Sequence, residues 1–424
     1  MLSLLTFALL LLLGMPVAFA MICGAVLQIV LGGNAVLLLS LPQQLYAGME
    51  SYGLLALPIF ILLGELMNAS GAGRRLFALA ELCIGRTRGG LAQTTLLANA
   101  LMAAVLGSTI AQITLMSRLA VPEMERAGYP RDMAAAITAA GGLLAPVLPP
   151  SMLLIVYGVI AQVPIGDLFL AGVGPGLAML GVFAAITWWS SAHGSAPAPR
   201  GAAAANPGRT AAAALPALAV PGAMIGAILL GYATPAEAGV VAIAAVLLLG
   251  LGLYREMSLP DIWRALLSTA LTTGTILFLV AAAGLYAWVA AWEGLPATVS
   301  TWLAGLSDNP IVFLGLVNLL LLGMGMISDP LPCLILVVPV LLPVATDIYG
   351  IDPVHFGLIA CINLTVGLLT PPVGVGLFTA AMQNDVPADR LARLVLPYLA
   401  GVLGVLAVLV LWPGLALGLL AFFR

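Results

Sequence analysis

Neutral polar side chains lie inside long apolar stretches of this sequence, beside residues that interrupt helices. They carry hydroxyl or amide groups: Ser108, Thr109, Ser151, Asn363, Thr365 and Thr370. Asp329 is the carboxylate at one of these interruptions. Such oxygen atoms and freed backbone carbonyls suit Na⁺, whereas the amino-terminal end of a broken helix suits an anionic carboxylate. The residue types therefore predict ion and anion binding within the apolar part of the chain.

A double proline interrupts each of two long apolar segments. Pro149-Pro150 lies within 132–163, and Pro371-Pro372 lies within 353–385. As a single helix the first segment would be about 48 Å long, although the hydrocarbon of a bilayer is only about 30 Å thick. Two prolines remove two backbone donors and break the helix. We therefore predict two broken helices, whose freed carbonyls face the interior of the protein.

Two further apolar segments, 91–121 and 310–346, are interrupted at their centres. The first interruption begins at Gly107, and the second is the run 323–330. We predict that each half is too short to cross the membrane alone. Re-entrant helical hairpins, which enter and leave on the same side, are the expected result.

The composition places the whole chain in a membrane. Of its 424 residues, 62% are hydrophobic and 7% are charged. An ordinary soluble domain carries about 25% charged residues, so a soluble enzyme, a nucleic-acid binder and a disordered protein are excluded. Long continuous apolar runs also exclude a β-barrel. The fold class is an all-α polytopic membrane protein, and the other predicted crossings are 2–30, 53–70, 167–190, 213–232, 236–254, 266–292 and 395–421.

The arginines support this topology. All 14 basic residues are arginine, and all except Arg424 can lie in the cytoplasm only if both interrupted segments are re-entrant. Residues 71–90 carry four arginines on an apolar pattern, which predicts an amphipathic helix on the cytoplasmic surface. The loops left outside contain no arginine: 32–52, 164–167, 233–235, 293–309 and 347–352.

The two halves of the chain share one spacing. The interval from Gly128 to Pro149 equals the interval from Gly350 to Pro371, and the offset that relates the two halves is 222. The hairpin interruptions obey the same offset. The loop at Gly128 is assigned to the inside and the loop at Gly350 to the outside, which predicts an inverted-topology repeat. The predicted parts are a first repeat at 1–190, a cytoplasmic linker at 191–212 and a second repeat at 213–424.

Three carboxylates each allow two interpretations. Asp329 could ligate a cation or cap the helix that begins at the next residue, a proline. Glu237 lies three residues after Thr234 and fits a capping box, which we favour over a functional acid in the membrane. For Glu65 we favour a structural role. The four cysteines sit singly, so neither a disulfide framework nor a transition-metal site is predicted, and the only metal expected is Na⁺.

Several motifs resemble the large membrane subunit of tripartite ATP-independent periplasmic (TRAP) transporters, the DctM type within the ion transporter superfamily. They run in order from Gly14 to about Gln383. Among them are Gly14-Met15-Pro16-Val17, Leu57-Pro58-Ile59-Phe60, Gly64-Glu65-Leu66-Met67, Gly107-Ser108-Thr109, Pro149-Pro150-Ser151, Thr234-Pro235-Ala236-Glu237 and Thr370-Pro371-Pro372-Val373-Gly374. After the Asp-Pro of the second hairpin the family usually has a small hydroxylated residue, whereas this chain has Leu331-Pro332.

The resemblance implies a Na⁺-coupled symporter that imports a small organic acid by an elevator mechanism. A scaffold, which includes helices within 1–90, would hold still while a transport domain of two hairpins and two broken helices slides across the bilayer. A bacterial inner-membrane location is implied, with a small four-span membrane subunit and a periplasmic substrate-binding protein as partners. No enzymatic activity, no cofactor apart from the coupling ion and no nucleic-acid partner are expected.

The resemblance also places the expected sites. The ion sites map onto the two hairpin tips and the residues of the broken helices beside them. The expected sodium-binding region comprises Gly107, Ser108, Thr109, Gly141, Gly142, Gly325, Asp329, Asn363, Thr365 and Gly367. The expected substrate-binding region comprises Pro149, Pro150, Ser151, Thr370, Pro371, Pro372 and Gly374.

Two other functions were weighed. One is a self-sufficient Na⁺-coupled dicarboxylate transporter of a related inverted-repeat fold, which would need no binding protein. The other is an intramembrane enzyme, which would need a His/Glu metal motif or a Ser/Lys pair at membrane depth. The sequence has no lysine and no HExxH motif, which argues against the enzyme.

Overall fold

The computed structural model describes residues 6–7, 9–11, 13–85, 89–193, 207–294, 298 and 308–423. These residues form helices, turns and bends, with no strand among them. The first half contains α1 Val17–Leu31, α2 Leu41–Ala47, α3 Ala56–Ala69, α4 Ala72–Ile84, α5 Gly90–Leu106, α6 Thr109–Arg126, α7 Arg131–Gly142, α8 Met152–Ala161 and α9 Ile165–His193. The second half contains α10 Pro207–Leu229, α11 Pro235–Leu247, α12 Leu259–Trp292, α13 Pro310–Ile327, α14 Pro330–Asp347, α15 Pro353–Leu369, α16 Val375–Asn384, α17 Ala388–Leu411 and α18 Gly414–Phe423.

Length and composition make this an all-α membrane protein. Eight helical segments of the described chain are long and apolar enough to cross a bilayer. Short 3₁₀-helices at Ala35–Ser40 and Tyr52–Leu55 precede α2 and α3, and a π-helical turn at Leu248–Leu253 extends α11. The predicted fold class is therefore confirmed, and most of the long spans fall where hydropathy placed them.

Both predicted broken helices are broken. The first consists of α7 and α8, separated by turns over 143–151, and the second consists of α15 and α16, separated by residues 370–374. The double prolines lie inside these interruptions, and the peptide bonds Pro149-Pro150 and Pro371-Pro372 are cis. Each break exposes helix ends that the rest of the protein must satisfy.

The two hairpins are interrupted at the predicted places. Gly107 ends α5 in the left-handed region at φ +60°, and the extended residue Ser108 precedes α6. Ser328 and Asp329 are likewise extended between α13 and α14. The prediction that each half is too short to cross is wrong for the second hairpin. Its two helices have 18 residues each, or about 27 Å, so their re-entrance stays a prediction that arm length does not support.

Three predicted boundaries are wrong. The first crossing does not run through 2–30, because Gly14 at φ +84° and Pro16 separate α1 from the residues before it. The last crossing does not run through 395–421, because α17 ends at Leu411 and α18 begins only at Gly414. The predicted outer loop 32–52 contains a 3₁₀-helix and α2.

The order of helices recurs in the two halves. The starts of α7 and α15, Arg131 and Pro353, are related by the same offset as the sequence landmarks, and those of α9 and α17, Ile165 and Ala388, depart from it by a single position. The hairpins precede the broken helices at nearly the same offset. The recurrence supports a repeat, whereas the inversion, the linker at 191–212 and the scaffold and transport domains stay predictions. Residues 194–206 of that linker lie outside the described chain.

The long helix α12 organises one group of helices. It packs against α1, α2 and α3, while α11 packs against α3 and α10. A Cβ atom on Gly284 of α12 would lie 3.1 Å from the Cα atom of Gly48, directly after α2. The hairpins and broken helices form a second group, in which α13 packs along α15 and α6 along α7. The two groups meet where α14 touches α12 and α5 touches α3.

The predicted amphipathic helix is α4, with Leu76 and Phe77 buried and Arg74 exposed. Arg86 and Arg88 lie outside the described residues.

The arginines at the start of α4 bind the loop before α12. Arg74 and Arg75 both form ion pairs with Glu256, and the Arg75 guanidinium lies 3.6 Å from the ring centroid of Tyr254. Burial raises the pKa of the Glu256 carboxyl, but the hydrogen bonds and charges of Arg75 and Arg74 outweigh it and hold the pKa below its usual range. This contact therefore stabilises the fold at pH values above the ordinary pKa of a glutamate carboxyl. Its contribution is lost as the pH falls through the lowered pKa of Glu256.

The contact between α13 and α15 allows a test of the packing. A Cβ atom on Gly367 would lie 2.5 Å from the backbone carbonyl carbon of Gly325. We expect Gly367→Ala to destabilise the protein by about 1–3 kcal/mol, because backbone atoms cannot yield as a flexible side chain would. The melting temperature of the purified protein in detergent measures the effect.

Gly315→Ala on α13 is the matched control. No atom lies within 4 Å of a Cβ atom built there, so alanine should leave the melting temperature unchanged or raise it. Equal melting temperatures for Gly367→Ala and the wild type would contradict this packing.

Candidate functional site

A cavity of about 420 Å³ lies where the two hairpin interruptions meet. Its lining includes residues 107–110 of the first hairpin and 329–332 of the second. Pro146, the start of α8, two residues of α15 and a stretch of α12 complete it. Both halves of the chain and both groups of helices therefore contribute to a single cavity.

Three helices begin at this cavity. The first residues of α6, α8 and α14 line it: Thr109 and Ile110, Met152 and Leu153, and Pro330 and Leu331. A helix amino terminus carries unpaired N–H groups and a partial positive charge, so it attracts an anion. Their convergence brings the positive ends of three helix dipoles to a cavity whose described lining contains no basic side chain.

Two of these termini are capped by their own side chains. Ser151 Oγ accepts a hydrogen bond of 3.2 Å from Leu154 N at the start of α8. Asp329 Oδ1 accepts one of 3.0 Å from Leu331 N at the start of α14. The side chain of Ser108 makes no such bond, so α6 begins without a side-chain cap. Among the three helix starts, α6 therefore has the fewest of its backbone N–H groups satisfied by side chains.

The rest of the lining is neutral. The lining residues include no arginine, lysine or histidine, and Asp329 is the charged one among them. The polar groups of the lining are otherwise hydroxyls, on Ser108, Thr109, Thr272, Thr275 and Thr365. The polar features of the lining are therefore helix dipoles, hydroxyl oxygens and one carboxylate.

The structure brings five of the predicted residues together at the cavity. These are Gly107, Ser108, Thr109, Asp329 and Thr365. The others lie elsewhere: Gly141, Gly142, Gly325, Asn363 and Gly367 of the expected sodium-binding region, and Pro149, Pro150, Ser151, Thr370, Pro371, Pro372 and Gly374 of the expected substrate-binding region. Their proposed ligand roles stay predictions, whereas their contacts are structural.

An amide cluster holds the first hairpin to the first broken helix. Gln112 Nε2 donates to the backbone oxygen of Asn99 at 2.8 Å, to Asn99 Oδ1 at 2.9 Å and to the backbone oxygen of Gly141 at 3.3 Å. A Cβ atom on Gly142 would lie 2.6 Å from Ile113 Cγ1. Gln112 Oε1 is buried and has no hydrogen-bond partner within the described chain. The two glycines therefore allow α7 to approach α5 and α6 closely.

A second amide cluster holds the second hairpin to the second broken helix. Asn363 Nδ2 donates to the backbone oxygen of Asn318 at 2.8 Å and also to its side-chain oxygen. Gly374 N donates to the backbone oxygen of Met326 at 3.1 Å, which closes the interruption before α16. Asn363 Oδ1 is buried and has no partner among the residues described. The cluster leaves one buried oxygen available for a cation.

The hydroxyls beside the double prolines are already engaged. Ser151 Oγ donates to the backbone oxygen of Pro146 at 2.6 Å, and Thr370 Oγ1 donates to that of Val366 at 2.7 Å. Each bond satisfies a carbonyl near a helix break.

The three carboxylates that allowed two interpretations cap helices or join them. Glu237 and Thr234 form the predicted capping box at the start of α11, so this interpretation is confirmed. Asp329 caps α14, which confirms one of its two interpretations, and its role as an ion ligand stays a prediction. Glu65 Oε1 accepts a hydrogen bond of 2.8 Å from Ser268 Oγ and so joins α3 to α12, as a structural role requires.

The sequence reasoning missed the contribution of α12. Thr272 and Thr275 line the cavity from a helix that belongs to neither a hairpin nor a broken helix. A signal was available, because residues 268–275 carry five hydroxyl side chains within an apolar span. Hydropathy alone treats that stretch as one more crossing.

The profile of one protein family matches residues 4–415, nearly the whole chain; it is described as the tripartite ATP-independent periplasmic transporter, DctM component. This chain belongs to the DctM family. It is therefore a large permease subunit of a TRAP transporter and a multi-pass protein of the bacterial inner membrane.

Two relatives in the family are similar over nearly their full length. The chain is 36% identical over 403 residues to the 2,3-diketo-L-gulonate TRAP transporter large permease protein YiaN of Escherichia coli, covering 95% of this chain and 94% of the relative. It is 36% identical over 401 residues to the sialic acid TRAP transporter large permease protein SiaM of Vibrio cholerae, covering 94% and 93%.

A solved structure shares the DctM-family fold. The Alcanivorax borkumensis YdaH transporter superposes with a TM-score of 0.64, covering 90% of this chain and 89% of its own. At 18% identity this likeness concerns the fold alone.

Asp329 can be tested as a helix cap. Alanine removes the bond to Leu331 N and should cost about 1 kcal/mol, whereas asparagine keeps an acceptor and should cost only a few tenths. We expect the melting temperature to fall for Asp329→Ala and to stay near the wild-type value for Asp329→Asn. An Asp329→Ala protein as stable as the wild type would show that the cap contributes nothing to the stability of the protein.

Proposed function

We propose that this chain is the permease subunit of a Na⁺-coupled symporter that imports a small organic acid supplied by a periplasmic binding protein. The cargo binds in the cavity between the hairpin interruptions. The hairpins and broken helices then carry it across the bilayer in an elevator movement against α12 and the helices packed on it.

The observation that carries the proposal is the convergence of three helix amino termini on one cavity without a basic side chain. The carboxylate of the cargo binds the uncapped start of α6, where backbone N–H groups supply the attraction. The relatives named for 2,3-diketo-L-gulonate and for sialic acid support an acidic cargo.

The coupling ions bind beside the two hairpin interruptions. In the second half the buried Asn363 Oδ1 lacks a partner among described residues, and Thr365 and Asp329 lie at the neighbouring cavity. In the first half Ser108 and Thr109 offer oxygen atoms to the cavity, and Gly141 adds a backbone carbonyl close to the helix break. Neutral and anionic oxygen atoms of this kind suit Na⁺.

The proposed complex has two further components. A small four-span membrane subunit completes the membrane part, and a binding protein delivers the acid from the periplasm. Membership of the DctM family supports both, because its description names a tripartite periplasmic transporter.

Reconstitution tests the proposal. The chain is placed in proteoliposomes alone, with the small subunit, and with both partners, and uptake of radiolabelled gluconate, sialic acid and succinate is measured in turn. We expect uptake of at least one acid, with both partners present and an inward Na⁺ gradient.

Two results would contradict this function. Robust uptake by the chain alone would favour a self-sufficient transporter. Equal uptake when K⁺ replaces Na⁺ would remove sodium coupling.

Ser108 offers a test of ion binding within that assay. Ser108→Leu removes an oxygen and fills part of the cavity, so we expect the Na⁺ concentration for half-maximal uptake to rise roughly tenfold, which corresponds to about 1.4 kcal/mol. Ser108→Ala is the matched control, because it removes the oxygen without adding bulk. A Na⁺ titration curve that neither variant changes would argue against an ion at this hairpin.

A further inference from the structure

We propose that Thr272 and Thr275 of α12 bind hydroxyl groups of the cargo, and that the cargo is a hydroxylated monocarboxylate such as a sugar acid. This inference rests on the proposed function and adds the class of substrate and the residues that select it.

The two threonines form a fixed polar wall of the cavity. They lie three residues apart on α12, and Ser268 lies four residues before Thr272, so the three side chains share a helix face. Ser268 is bonded to Glu65 of α3 at 2.8 Å. Further along α12, on the other side of Thr275, Gly284 packs directly on the backbone of Gly48. Contacts on both sides therefore fix the position of the threonine pair.

The hydrogen bonding of Thr275 determines what it can recognise. Its Oγ1 donates to the backbone oxygen of Leu271 at 2.9 Å. The only hydrogen of this hydroxyl is thereby used, so the oxygen presents lone pairs to the cavity. A carboxylate also has only lone pairs and is repelled there, whereas a cargo O–H group donates to the oxygen.

Thr365 repeats this arrangement on α15. Its Oγ1 donates to the backbone oxygen of Cys361 at 2.7 Å, so it too is an acceptor toward the cavity. The side chain of Thr272 makes no hydrogen bond within the described part of the chain and is free to donate or accept. The hydroxyl oxygens of the cavity can therefore accept hydrogen bonds from cargo hydroxyls, whereas they do not favour a second anion.

The helix termini limit the number of carboxylates. Of the three termini at the cavity, Ser151 and Asp329 cap two, and the second cap is itself an acid. A dicarboxylate would have to place its second negative charge against acceptor oxygens or close to Asp329. A cargo that places one carboxylate at the start of α6 and hydroxyl groups at α12 satisfies both the backbone N–H groups of α6 and the threonine oxygens of α12.

Binding measurements on variants test the inference. The full chain is purified with its small membrane subunit in nanodiscs, and the dissociation constants of D-gluconate and succinate are measured by calorimetry in NaCl. We expect the wild type to bind gluconate more tightly than succinate. Thr275→Val should weaken gluconate binding about tenfold, which is the order of one lost hydrogen bond, and should leave succinate binding unchanged. Thr275→Ser should restore gluconate binding.

Thr273→Val is the matched control. Thr273 is the neighbouring residue on the same helix, its hydroxyl is buried without a partner in the described chain, and it does not line the cavity. The same substitution there should leave both dissociation constants unchanged.

Three outcomes would overturn the inference. They are unchanged gluconate binding by Thr275→Val, equal weakening of gluconate and succinate binding, and a wild type that prefers succinate or binds neither acid. The reconstitution experiment separates these outcomes from failure of the proposed function. Na⁺-driven uptake of any acid with both partners present would support that function even if the inferred substrate class is wrong.

Discussion

A backbone polar group in the hydrocarbon of a bilayer finds no water, so every helix break must be satisfied by the protein or by what it binds. In this chain most of the breaks are satisfied internally. Ser151 bonds the carbonyl of Pro146, Gln112 bonds that of Gly141, and Gly374 N bonds that of Met326. The start of α6 has no side-chain cap and lies at a cavity. The place where the protein leaves backbone donors without side-chain caps is therefore also the place where a cavity opens.

The second requirement for satisfying the helix breaks is close approach of the backbones, because a hydrogen bond between two helices forms only where the helices pack closely. Gly325 and Gly367 supply this between α13 and α15, where either Cβ atom would collide with backbone. The amide pair Asn318 and Asn363 bridges the same two helices. Each amide cluster keeps one buried oxygen without a partner among the described residues, so the rigidity of the contact comes chiefly from the close packing of the helices. Each hairpin is thus bound firmly to its own broken helix, which suits parts that move as one body.

The sequence predicted the breaks well because their causes are local. Two adjacent prolines without N–H groups, and glycine at a position with positive φ, interrupt these helices, whereas single prolines such as Pro122 and Pro175 lie inside helices. The constant offset between the halves follows from the interruptions. The misplaced first and last spans also have local interruptions, since Gly14 has a positive φ before Pro16 and Trp412 is non-helical before Pro413. Hydropathy alone reads both apolar runs as continuous. The cavity was harder to predict, because which face of a helix meets it depends on packing. Asn363 and Thr365 are two residues apart, yet only Thr365 lines the cavity, and the face of α12 gave no signal in mean hydropathy.

The absence of a basic side chain from the cavity lining bears on how transport proceeds. An arginine paired with the cargo carboxylate would hold it through charge-assisted, bidentate hydrogen bonds, and release would be slow. A helix terminus contributes less, up to about 2 kcal/mol in a partly buried site. In the proposed mechanism the rest of the attraction comes from Na⁺ held beside the hairpin interruptions, so the acid binds well only when the ions are present. When the ions leave, the attraction falls to that of dipoles and hydroxyls, and the cargo is released with them. In the proposed mechanism a cavity without a basic side chain therefore makes the movement of the acid depend on the ion gradient, which is what coupling requires.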